Sequence, residues 1–76
     1  MKKVIIQYAS QVDALVALAK RLARYESDLG MTSEGFFDRY TKGKIADSEE
    51  FTEWAYDYRQ YVAIRKELVD RLQHAA

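Results

Sequence analysis

The 76 residues contain no cysteine and no proline. Without thiols the chain has no disulfide to staple a small core, no thiolate zinc site, and no thiol nucleophile or redox couple. Histidine occurs once, as His74, so a metal cage would have to be built from carboxylates. Glycine stands at 30, 35 and 43, scattered as caps and breakers rather than gathered in a phosphate-binding loop. Neither sign of charge is in excess, with twelve basic and twelve acidic side chains. That balance weighs against a general binder of nucleic acid or membrane surface, which carries a basic excess, although a local patch stays open. The apolar run after Lys2-Lys3 is only Val4-Ile5-Ile6, too short for a secretory or membrane-spanning segment, and the expectation is a cytoplasmic protein. A chain of this length makes one domain, 1–76. It buries only about 60% of the surface its unfolded form exposes. Of the devices that offset a thin core, oligomerisation is the one left.

What is present is helical periodicity. Residues 2–8 (KKVIIQY) are β-branched and aromatic, and read alone as a short strand, a helix start or a tail. Ser10 then reads as an N-cap, with Asp13 completing a capping-box-like start. Val12, Leu15, Val16, Ala19, Leu22, Ala23 and Leu29 follow at the spacing of one helical face, and Gly30 supplies a stop. Thr32-Ser33-Glu34 begins a short amphipathic segment bearing Phe36, Phe37 and Tyr40. Asp47 reads as the cap of a last helix, with Glu50 in the third position, running unbroken to about Gln73. Its stripe is Phe51, Trp54, Ala55, Tyr58, Tyr61, Val62, Leu68, Val69 and Leu72. The expected fold is all-α: an antiparallel hairpin of two long helices joined by a short one, with a short N-terminal strand or tail. Two helices cover each other poorly, so a homodimer closing a four-helix bundle is the natural completion.

Chemistry finds little purchase here. Glu49, Glu50, Glu53 and Asp57 crowd the front of the last helix, while Arg59, Arg65, Lys66 and Arg71 crowd its back. The helix dipole accounts for that arrangement, and the Glu-x-x-His motif of bundle metal sites is missing. His74 is a poor catalytic base so near the chain end, and nucleophile, base and stabiliser cannot be assembled from the remaining residues. No catalytic residue, cofactor or metal site is expected.

Two charges are out of place. At 100° per residue, Arg65 falls mid-stripe among Phe51, Tyr58, Val62 and Val69, and Glu26 falls mid-stripe on the first helix. Such charges pair, reach to solvent at an edge, or sit at an interface. Aromatic residues are also abundant: Tyr56 points away from the stripe and Tyr25 lies at its edge, positions that suit a partner surface.

Residues 31–55, MTSEGFFDRYTKGKIADSEEFTEWA, resemble a pattern of short bacterial and archaeal proteins regarded as antitoxins of toxin–antitoxin pairs. In that pattern T-S-x-x-F-x-x-x-Y, a Gly-containing turn and D-[DS]-x-x-F-x-E-W-A link two helices. The matching positions are Thr32, Ser33, Phe36 or Phe37, Tyr40, Gly43, Asp47, Ser48, Phe51, Glu53, Trp54 and Ala55. Gly35 departs from it, standing where a better helix former is expected. The resemblance implies a protein-binding regulatory module whose partner is a toxin encoded nearby. The misplaced charges, the off-stripe aromatics and the N-terminal segment make Arg65, Glu26, Tyr56, Tyr25 and Ile5 the expected contact residues. The alternatives are a DNA-binding regulator, with residues 2–8 as the strand of a ribbon-helix-helix dimer, or a purely structural subunit.

Overall fold

In the computed structural model the backbone is described for residues 2–75 and the side chains for residues 10–74. Three helices follow in order: α1 (Lys2–Leu29), α2 (Ser33–Thr41) and α3 (Glu49–Ala75). The all-α hairpin read from the sequence is what forms, and no strand occurs among the described residues.

The N-terminal strand is the main correction. Helix α1 begins at Lys2, so Ser10 lies within it instead of capping it, and the ribbon-helix-helix reading loses its ribbon. The weaker helix propensity of the β-branched Val4-Ile5-Ile6 costs only tenths of a kcal/mol per residue. No breaker separates it from the good helix formers that follow, so the helix simply extends.

Local chemistry sets the other boundaries. Gly30 closes α1 with φ of 68°, a left-handed conformation that an L side chain resists. Thr32 caps α2, its hydroxyl accepting from the Gly35 amide at 3.1 Å. A Cβ at position 35 would lie 3.1 Å from the same oxygen, a tight contact that the threonine side chain would have to ease by a few tenths of an ångström. The cap of α3 is Ser48, whose Oγ accepts the Phe51 amide at 3.1 Å, rather than Asp47. Asp47 is taken up by the Tyr40 hydroxyl, which donates to it at 2.9 Å and ties α2 to the start of α3.

Packing concentrates at the elbow. Trp54 and Phe36 are fully buried, with Leu22 and Ala55 beside them. Trp54 stacks on Phe36 with ring centroids 3.8 Å apart and on Tyr25 at 5.4 Å. Its indole N–H donates to the buried Ser33 Oγ at 2.9 Å, satisfying two polar groups that burial would otherwise penalise. Phe37, Tyr40, Phe51, Tyr58 and Tyr61 pack around this cluster. Away from the elbow the chain is two helices wide, giving overall dimensions of 46 × 19 × 17 Å. Among the described residues no helix is long and apolar enough to cross a membrane.

Candidate functional site: an open apolar side of the hairpin

The seam between the long helices follows the 3–4 spacing of a coiled coil. On α1 it is formed by Leu15, Leu18, Leu22, Tyr25 and Leu29, and on α3 by Trp54, Asp57, Tyr61, Ile64 and Leu68, all buried or half-buried. Polar pairs fix the antiparallel register. Arg21 meets Asp57, and farther from the elbow Gln11 bonds both Glu67 and Arg71.

Asp57 is the residue that sequence reading missed. It is only 2% exposed and receives both Nε and a terminal nitrogen of Arg21, each at 3.0 Å, with the Tyr25 hydroxyl 3.5 Å away. A buried carboxylate needs such a partner. Arg21 supplies it while keeping its own side chain largely in solvent. The Tyr25 phenol is pushed above its ordinary value, first by burial and then by the charges of Asp57 and Glu53, against the opposing pull of Arg21. Tyr58 is raised as well, by burial and by its neighbours Glu34 and Tyr61.

Because the seam uses one line on each helix, another apolar line on each is left over. On α1 it is Val12, Val16, Ala19 and Ala23; on α3 it is Val62, Val69 and Leu72, with Arg65 among them. Helical phase puts both lines on the same side, flanking an open groove lined by Ala19, Ala23, Tyr58, Tyr61, Val62 and Arg65. Val12 and Val16 are each 47% exposed, Val62 45% and Leu72 72%. Arg65 is exposed and makes no ion pair among the described residues. It therefore reaches solvent from the middle of an uncovered stripe.

The other expected contact residues fall in different places. Glu26 is half-buried at the elbow end of the groove, where one carboxylate oxygen accepts the Ser33 amide at 2.9 Å and helps start α2. Tyr56 is 60% exposed on the opposite side, beside Ala17, Leu18 and Ile64. Tyr25 belongs to the core rather than to the stripe edge. Ile5 lies in α1, with its side chain outside the described residues. The structure thus brings Arg65 and Glu26 to one groove and leaves Tyr56 apart from them. Among the described residues no group of three or more His, Cys, Asp or Glu side chains is placed to hold a metal ion. Comparison with family models, with curated proteins and with solved structures finds no match to this chain.

Proposed function

We propose that this chain is a non-enzymatic protein-binding module acting in the cytoplasm, with the open side of the hairpin as its interaction surface. The observation that carries this is the uncovered line of Val12, Val16, Val62, Val69 and Leu72 around a solvated Arg65. Apolar side chains scattered singly are ordinary on a surface, but an aligned set beside a groove marks a contact site. An arginine rimmed by valines and tyrosines has the make-up of an interface anchor. The antitoxin resemblance of residues 31–55 then supplies the biological role: direct binding that neutralises a small toxin protein encoded nearby. Those residues build the elbow core, so they hold the two long helices in register while the helices present the surface.

Co-expression of the tagged chain with the protein encoded beside it tests this reading. The two are expected to co-purify in fixed proportion, and the chain is expected to relieve growth arrest caused by its neighbour. Val16→Asp and Val62→Asp should abolish both effects while changing stability by no more than about 0.5 kcal/mol, as suits exposed positions. Binding and rescue that survive both substitutions would remove this side from the function.

A further inference from the structure

The groove carries charge of opposite sign at its two ends. Glu26 and Glu34 stand at the elbow end, and Arg65 and Lys66 stand toward the free ends of the helices. The pairings of Tyr25 with Trp54 and of Arg21 with Asp57 place Arg65 level with about residue 14 of α1. At 1.5 Å per residue it is then about 18 Å along the axis from Glu26, too far for the two to pair within one chain. We propose that a second copy of this chain covers the open side, packed antiparallel in a two-fold dimer. In it Arg65 and Lys66 of each copy meet Glu26 and Glu34 of the partner.

The proposal rests on reading this side as the interaction surface, and it names what covers that side in the free chain; the neighbouring protein then takes the same side by displacing the second copy. A two-fold interface brings the same patch together on both subunits, so a patch must complement itself. Antiparallel packing turns the basic end of one groove onto the acidic end of the other, whereas parallel packing would set like charges together. Between the ends lie Ala19 and Ala23, small enough for helices to approach closely, and Val62, which gains an apolar cover. Glu26 keeps its bond to the Ser33 amide, since a carboxylate has acceptor capacity for a guanidinium as well.

Sedimentation equilibrium of the isolated chain at micromolar concentration, with circular dichroism to confirm folding, tests the arrangement. The wild type is expected to be a dimer. Arg65→Glu and Glu34→Lys, both at exposed positions, should each raise the dissociation constant by about tenfold or more. Mixed in equal amounts, the two variants should form a heterodimer tighter than either homodimer, because both 65–34 cross-pairs are then of opposite sign, whereas in each homodimer both are of like sign. A monomeric wild type, a dimer indifferent to Arg65→Glu, or a mixture no tighter than its components would overturn the proposal. The neighbour-protein experiment reads a different quantity, so a monomer that still binds its neighbour through this side would refute the dimer alone.

Discussion

Replacing Trp54 with alanine probes the elbow more severely than any other single change. The indole is fully buried, stacked at 3.8 Å on Phe36 and bonded through its N–H to Ser33. Truncating a buried aromatic to alanine costs about 3–5 kcal/mol through lost transfer energy and the cavity left behind. Ser33 is itself only 2% exposed and would lose the partner of its hydroxyl. A buried hydroxyl without a partner adds about 1–3 kcal/mol where water cannot reach it. At roughly 0.05–0.15 kcal/mol per residue, a domain of this size holds only about 4–11 kcal/mol in total. Trp54→Ala is therefore expected to be largely unfolded, or to melt at least about 12 °C lower, at roughly 4 °C per kcal/mol. Far-UV circular dichroism with urea and heat is the assay, since the single tryptophan is itself removed. Ser33→Ala serves as the smaller companion, expected to cost about 1–3 kcal/mol by stranding the indole N–H. A Trp54→Ala protein whose midpoint moved by less than about 0.5 kcal/mol would refute the reasoning, because it would place the ring outside the core.

The Arg21–Asp57 pair should respond asymmetrically to urea denaturation. Arg21→Ala leaves a buried carboxylate without its cation and should cost about 2–3 kcal/mol, whereas Asp57→Ala returns an exposed guanidinium to water and should cost less. Gly30→Ala should lower stability by about 1–2 kcal/mol in thermal melts, through backbone strain at φ of 68° alone, since nothing lies within 4 Å of the added Cβ. The raised phenols of Tyr25 and Tyr58 stay protonated in the folded state above the pH where unfolded tyrosine ionises. Their contribution is full below about pH 10 and is lost as pH rises through the folded values, so melting temperature should fall in that alkaline window and fall less in Tyr25→Phe.

Much of the hairpin was legible because its punctuation is local. Gly30, Thr32 and the capping residues before α3 act on their immediate neighbours, and Trp54 announces a core by size alone. Three features were not legible, each for a stated reason. The β-branched residues 4–6 favour a strand only in isolation, and continuity with α1 overrides them. Asp57 fits the dipole pattern of its acidic neighbours, and only its place three residues after Trp54 and four before Tyr61 marks it as a seam position. The stripe is broad: at 100° per residue Tyr61 and Leu68 lie about 100° around the helix from Val62 and Val69. The seam uses the edge of Tyr61 and Leu68 together with Ile64, which leaves Val62, Arg65 and Val69 on the open side. The mid-stripe Arg65 was visible from the sequence; that its stripe is uncovered was visible only in the structure.

Because the chain has no native thiol, one introduced cysteine reports on one position without ambiguity. The alkylation rate of Val62→Cys, followed as protein concentration rises from nanomolar to tens of micromolar, tests most directly whether the open side is an interface. The rate is expected to fall by about tenfold or more as the side becomes covered, while Tyr56→Cys on the opposite side reacts at a constant rate. A Val62→Cys rate that stays constant with concentration, and stays constant again when the neighbouring protein is added, would contradict the account.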